Sequence, residues 1–290
     1  MLSAYIIHLL ILIGIYLILC LSLQLALGYT GLLNLGHIAF YAIGAYTSAL
    51  LTLSGVPFIV SFLMAGIVSA LFGYLLAFST NKLKGDYLAL ATLGFTFVIY
   101  AIALNWTDLT NGALGLAGIP KPDLGILQIK SNAFYLFFVS ITAVFSYLII
   151  NKIVKSPFGK VLEAIRDDEL AVRILGKNTF KIKNYSLAVS AFFAGIAGSL
   201  YAHYITFIDP SSFGFMQIIP ILSIVIIGGI ASLRGTVLAT FVLVLLPEPL
   251  RFIGFPSSVV GPVRQIIYAL MLLLILMYRP KGFYGKVSLE

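Results

Sequence analysis

Residues 57–81, PFIVSFLMAGIVSALFGYLLAFSTN, close a stretch that contains no Asp, Glu, Lys or Arg from residue 1 onward; the first charged side chain is Lys82. About 20 apolar residues in a helix cross ~30 Å of hydrocarbon, so this segment alone is long enough to span a bilayer. The rest of the chain agrees. Of its 290 residues 61% are hydrophobic and only 10% are charged, where a soluble domain carries roughly 25% charged residues. Mean hydropathy is +1.08. So few charges cannot cover a water-facing surface, which excludes a soluble enzyme, a nucleic-acid binder and a disordered tail. The fold class predicted is an all-α polytopic membrane protein.

Further charge-free runs lie at 87–107, 131–151, 184–208 and 210–233. Gly28-Tyr29-Thr30-Gly31 and Ser54-Gly55-Val56-Pro57 punctuate the opening region, since Gly and Pro break helices. The spans read 4–27, 36–53, 57–80, 87–106, 132–151, 184–207, 213–232, 235–250 and 263–279, which is about 8–9 transmembrane helices with some of them broken. All fall in a single transmembrane domain, 1–290. The opening MLSAYIIHLL has no basic leader region and reads as the start of the first span. Cys20 is the lone cysteine, so no intrachain disulfide forms.

Basic residues orient the spans. Eight of the 18 lie between Lys152 and Lys183. If that loop is cytoplasmic and the spans alternate, 14 basic residues fall inside and 4 outside, a strong positive-inside bias. The C-terminus is then cytoplasmic, and the Gly- and Pro-rich loop at about 107–131 is external. The cytoplasmic loop at about 152–183 has the signals of a short amphipathic helix. Ser156 supplies an N-cap, Pro157 a first-turn proline and Gly176 a stop. Val161, Ile165, Val172 and Leu175 fall near one face, and Asp167-Asp168-Glu169 is expected mid-helix. Such a helix fits either the anionic leaflet or a protein partner; three consecutive acids favour the partner.

Catalytic chemistry has no foothold. Gly159-Lys160 and Gly176-Lys177 are followed by Val161 and Asn178, so neither completes a phosphate-binding loop. His8, His37 and His203 are scattered, and no metal, cofactor or nucleophile–base motif accompanies them. The polar residues inside spans are Gln24, Asn34, His37, His203, Gln217 and Glu248. Each is read either as a helix–helix hydrogen bond or as path lining. Small residues four apart, Ala191, Gly195 and Ser199 with Ala194, Gly198 and Ala202, predict close helix packing, and Gly44 and Ser48 repeat the pattern.

These segments resemble the permeases of branched-chain amino acid ABC importers. The resemblance rests on Gly28-Tyr-Thr-Gly-Leu-Leu-Asn-Leu-Gly-His37, on Gly85-Asp-Tyr-Leu-Ala-Leu-Ala-Thr-Leu-Gly94-Phe95 and on Gly115-Leu-Ala-Gly-Ile-Pro120. Asp209-Pro210, Gly228-Gly229 and the tail Arg279-Pro-Lys-Gly282 extend it from about residue 20 to 285. It is closer to the LivM-type than to the LivH-type subunit. The resemblance implies a subunit that is not itself an enzyme and holds no cofactor. It sits in the cell inner membrane beside a second related permease, ATP-binding subunits and an extracytoplasmic substrate-binding protein. Urea or amide permeases are the related alternative; an ion-coupled carrier or channel is the distant one, because Glu248 and Asp86 are the only acids placed for coupling. The resemblance also implies that Ser156, Phe158 and Gly159, then Glu163, Ala164, Ile165 and Arg166, and finally Gly176, form the ATPase-coupling motif. A zwitterion needs polar or backbone lining across hydrocarbon, and helix breaks supply it. The substrate path is therefore expected along Gly31, Asn34, Gly36 and His37, with Thr92, Gly94 and Phe95 beside them.

Overall fold

The computed structural model describes residues 2–122, 131–248, 257–279 and 281–285. Within them the long helices are α1 (Leu2–Leu23), α2 (His37–Leu53), α3 (Phe58–Thr80) and α4 (Gly85–Asn105). A short α5 (Thr107–Thr110) follows, then α6 (Asn132–Lys155), α7 (Pro157–Asp167), α8 (Glu169–Ile174) and α9 (Thr179–Ile205). The chain continues as α10 (Ile218–Gly228), α11 (Leu233–Leu245) and α12 (Ser257–Tyr278). Five stretches are long and apolar enough to cross a membrane: Ala4–Tyr29, Phe58–Thr80, Gly85–Asn105, Asn132–Lys155 and Thr179–Ile205. Four shorter apolar helices accompany them: His37–Leu53, Phe215–Gly228, Leu233–Leu245 and Gly261–Ile275.

The bundle is organised around α9, which packs against α1, α2 and α3. Its small residues explain why. A Cβ on Gly44 would fall 2.2 Å from the Gly195 carbonyl oxygen, and one on Gly198 would fall 2.0 Å from that of Tyr41. The backbones of α2 and α9 are therefore in direct contact, as the small-residue spacing predicts. Hydroxyl and imidazole groups bridge the same interface. Ser48 Oγ lies 2.6 Å from Ser199 Oγ and 2.9 Å from His203 Nε2, while His203 Nδ1 meets the Pro120 carbonyl at 2.7 Å. His203 is thus a helix–helix and loop anchor.

α10 and α11 form a tight apolar hairpin that turns at Gly229, whose φ is +101°. The expected span at 235–250 is shorter than read, since α11 ends at Leu245; residues 249 and 250 lie outside the described residues. Part of the loop at 107–131 is ordered differently from a plain connector. Leu116–Ala117 pairs antiparallel with Phe207–Ile208, the one strand ladder among the described residues. Gly115 (φ +71°) permits it, because a Cβ there would meet the Ile208 carbonyl at 2.4 Å. Beside it Asp209 caps the turn Pro210–Phe213, accepting from the Ser212 amide at 3.3 Å and from the Ser211 and Ser212 hydroxyls.

The largest departure from expectation is in the basic loop. Residues 156–176 are not one helix but two, α7 and α8, broken at Asp168, whose φ is −153°. The Asp168 carboxylate accepts from the amides of Leu170 at 2.9 Å and Ala171 at 3.1 Å. An Asp in that pattern offers the backbone an N-cap instead of another helical turn. The acidic triplet therefore marks a junction and does not lie mid-helix. Gly176 (φ +76°) does end α8, with its amide bonded to the Arg173 carbonyl at 2.9 Å.

Candidate functional site

The site is built where α1 stops. Its last turn, Gln24–Tyr29, widens into a π-helix, and residues 30–36 then leave helical geometry before α2 begins. In hydrocarbon every freed backbone group needs a partner, and side chains of the neighbouring helices supply them. The Leu35 amide donates to Thr92 Oγ1 at 3.0 Å, and the Leu35 carbonyl accepts from Thr96 Oγ1 at 3.1 Å. The Gly36 amide donates to Asn34 Oδ1 at 2.9 Å. The break therefore offers less bare backbone than the sequence suggests, since these groups are already paired.

What remains open is on side chains. Among buried atoms Gln24 Oε1, Asn34 Nδ2 and His37 Nδ1 have no partner, and neither amide atom of Asn184 does. His37 is fully buried, its Nε2 2.9 Å from Ser22 Oγ and 3.1 Å from the Leu19 carbonyl. A small cavity beside the break is lined by Asn34, Thr80, Asn81, Thr92 and Lys183. Gly36 and Thr92 touch, because a Cβ on Gly36 would sit 2.8 Å from the Thr92 carbonyl. The Phe95 ring lies 5.6 Å from that of Phe40 on α2, tilted by 44°. Gly31, Asn34, Gly36, His37, Thr92 and Phe95 are thus gathered at one break. Gly94 is not: it is exposed, and a Cβ there would meet nothing within 4 Å.

The basic loop sits directly on this break. Arg166, whose side chain is only 14% exposed, donates from Nη1 to the Gly28 carbonyl at 2.9 Å and pairs with Asp167. Gly31 (φ +72°) lies under the same arginine, with a Cβ there falling 2.9 Å from Arg166 Cγ. Ser156 Oγ accepts from the Gly159 amide at 3.3 Å and so caps α7. Gly159 admits no side chain, since its Cβ would meet the Val154 carbonyl at 2.2 Å. Leu162 and Ile165 face inward, Phe158 is half-buried, Ala164 is exposed, and Glu163 pairs with Lys160 at 3.0 Å. Leu175, expected on the inner face, points out.

Glu169 fastens the second half of the loop. It meets Arg173 Nη2 at 2.5 Å, Lys183 Nζ at 3.1 Å and Lys84 Nζ at 3.9 Å. Burial pushes its carboxyl up, but hydrogen bonds and charge from Lys183, with hydrogen bonds from Arg173 and Thr179, hold it below the usual carboxylate range. Sequence reading missed this role, because only the fold brings positions 84, 169 and 183 together. It also missed the tail. The Phe283 and Tyr284 amides donate to the Ile227 and Gly228 carbonyls at 2.9 and 3.2 Å, which caps the C-terminus of α10. Gln24 Nε2 reaches the neighbouring Gly229 carbonyl at 2.7 Å. The π turn, the basic loop, the α10–α11 turn and the tail therefore meet at one end of the bundle.

The family model for the permease component of branched-chain amino acid transport systems matches residues 5–277. The chain belongs to that permease family. It is 38% identical over 293 residues to LivM, a high-affinity branched-chain amino acid transport system permease protein of Salmonella typhimurium, covering 92% of this chain and 67% of the relative. The LivM of Escherichia coli K12 is 37% identical with the same coverage. The LivH permease of Salmonella typhimurium is 22% identical over 92% of each chain. No solved structure matches this permease.

Proposed function

We propose that this permease is the transmembrane subunit of an ATP-driven importer for branched-chain or related hydrophobic amino acids, and that α7 and α8 dock a separate ATP-binding subunit. The observation that carries the docking role is the surface of α8. Leu170, Ile174 and Leu175 are 60%, 86% and 77% exposed on a segment otherwise rich in charge. An exposed apolar patch rimmed by polar groups marks an interaction surface. It lies within a few residues of Arg166, whose side chain hydrogen-bonds the break in α1. Movement of a bound ATPase would thus reach the π turn through the packing of α7 and the charged contact of Arg166.

The wider reading follows from the same orientation. Residues 1–290 form one permease domain of about 8–9 transmembrane helices, some of them broken, that crosses the inner membrane with the basic loop and the tail cytoplasmic. Ser156, Phe158, Gly159, Glu163, Ala164, Ile165, Arg166 and Gly176 shape the coupling surface. Gly31, Asn34, Gly36, His37, Thr92 and Phe95 line or support the path. The assembly contains a second, LivH-like permease, ATP-binding subunits and an extracytoplasmic binding protein that supplies substrate. The test is co-purification of the ATP-binding subunit with Ile174→Asp and Leu175→Asp variants, together with leucine uptake in reconstituted vesicles. Both should fall while membrane insertion persists. Full docking and uptake in the double variant would remove α8 from the ATPase interface.

A further inference from the structure

α6 and α11 both pack on α1, and an apolar groove runs between them. Its volume is about 660 Å3, and its walls include Leu10 and Leu17 of α1, Val144 of α6, and Leu238 and Phe241 of α11. At one end the groove reaches Tyr147, Arg234 and Tyr284. The same three residues belong to a second cavity of about 410 Å3, lined also by Lys155, Lys160 and Glu163. The two cavities therefore adjoin: an apolar groove along the helices lies next to a cationic cleft at the basic end of the bundle.

Length and charge both restrict the occupant. From Leu136 to Tyr147 the groove follows α6 for about 16 Å at 1.5 Å per residue, roughly half of the ~30 Å hydrocarbon core. That is the depth of one leaflet. In the cleft Lys160 is paired with Glu163, whereas Lys155 and Arg234 have no ion-pair partner among the described residues. The cleft thus keeps a positive surplus. It also borders the first turn of α11, which Ser232 caps, and a helix N-terminus favours an anion. Tyr147 and Tyr284 line both regions. A helix from a partner protein would fill the groove but would have no use for the cationic cleft at its end.

We propose that this groove and cleft form a binding site for an anionic glycerophospholipid of the cytoplasmic leaflet, with an acyl chain between α6 and α11 and the headgroup phosphate at Arg234 and Lys155. The site requires the membrane placement of the chain but neither its substrate nor its ATPase. It would hold the α10–α11 hairpin and the tail against α6, next to the coupling loop.

The test uses the full chain in phosphatidylcholine bilayers carrying a trace of spin-labelled phosphatidylglycerol or spin-labelled phosphatidylcholine. The wild-type chain should immobilise phosphatidylglycerol preferentially, by about fivefold for each cation that faces the headgroup. Arg234→Gln should remove that share of the preference, and Arg234→Lys should restore most of it. Ser140→Trp, on the exposed groove wall, should remove the excess immobilisation of phosphatidylglycerol over phosphatidylcholine. Neither Arg234 nor Ser140 is buried, so these variants test binding rather than folding. Equal immobilisation of the two lipids by the wild-type chain, or an unchanged preference in Arg234→Gln, would overturn the site. So would efficient crosslinking of Leu238→Cys to a co-expressed second permease, which would show a protein in the groove.

Discussion

Arg166, near the end of α7, donates to the carbonyl of Gly28 at 2.9 Å, so the basic loop and the π turn of α1 share one charged hydrogen bond. Hydrogen bonds to charged groups contribute about 1.5–3 kcal/mol each, and an equal loss of coupling energy is a tenfold or larger change in rate. Arg166→Gln should therefore lower substrate uptake at least about tenfold while leaving the subunit inserted and assembled. Gly31→Val should behave alike, because it puts a β-branched residue at φ +72° against the same arginine. The double variant should be no worse than either single one. Independent, multiplying losses in reconstituted vesicles would show that the two residues do not act through one contact.

Glu169 should be the weakest point of the loop toward acid. Its carboxyl is held below the ordinary value of 4.5 by its cationic neighbours, so the anion is the form that the fold prefers. The stabilisation is complete above pH ~4.5 and is lost as pH falls through the lower folded-state value. Glu169→Gln removes it at every pH and leaves Lys183 buried without its carboxylate, a change on the order of 3 kcal/mol. Limited proteolysis between α8 and α9 should accelerate in the variant at neutral pH, and in the wild-type chain only below that range. A variant as resistant as the wild type would mean that Lys84 and Lys183 find other partners.

Much of this was legible along the chain because hydrocarbon imposes length and composition on each span. Ser156 and Gly176 announced helix ends for a local reason: a hydroxyl N-cap and a left-handed stop act over a few residues. Asp168 misled because its neighbours have helical periodicity, and an Asp marks a helix start only where its carboxylate finds amides to cap. Long-range partnerships left no local trace. Thr92 reads as path lining and Thr96 as an ordinary span residue, yet together they satisfy both backbone groups of Leu35, some 60 residues away. Gly94 shares a motif with them but lies on the opposite face of α4. The capping of α10 by Phe283 and Tyr284 needs backbone groups that no pattern of side chains encodes.

Orientation is open to direct chemistry. Lys177 is exposed on the basic loop, whereas Thr179 is 2% exposed and hydrogen-bonded to Glu169. Lys177→Cys should therefore react with an impermeant thiol reagent in inverted vesicles and resist it in intact cells. Cys20 is buried and should stay silent in both. Labelling of Lys177→Cys from outside would reverse the map of every loop, and with it the side from which an ATPase could dock.

The break between α1 and α2 separates a lining role from a supporting one. Thr92 holds the Leu35 amide, so Thr92→Val leaves a buried donor unpaired, at a cost of about 1–3 kcal/mol. That variant should lose thermal stability as well as transport, and Thr92→Ser should recover both. Asn34 is different. Its Oδ1 caps the Gly36 amide, but its Nδ2 has no partner and lines the small cavity beside Asn81 and Lys183. Asn34→Ser keeps an acceptor for the Gly36 amide and removes the free donor without adding charge, so it should change uptake kinetics with less effect on stability than Thr92→Val. His37→Gln should be the mildest, because an amide can still reach Ser22 and the Leu19 carbonyl. Uptake and thermal unfolding measured on the same assembled preparations distinguish the cases. If Asn34→Ser and Thr92→Val lose stability and transport in the same proportion, Asn34 is a structural cap like Thr92, and the substrate passes elsewhere.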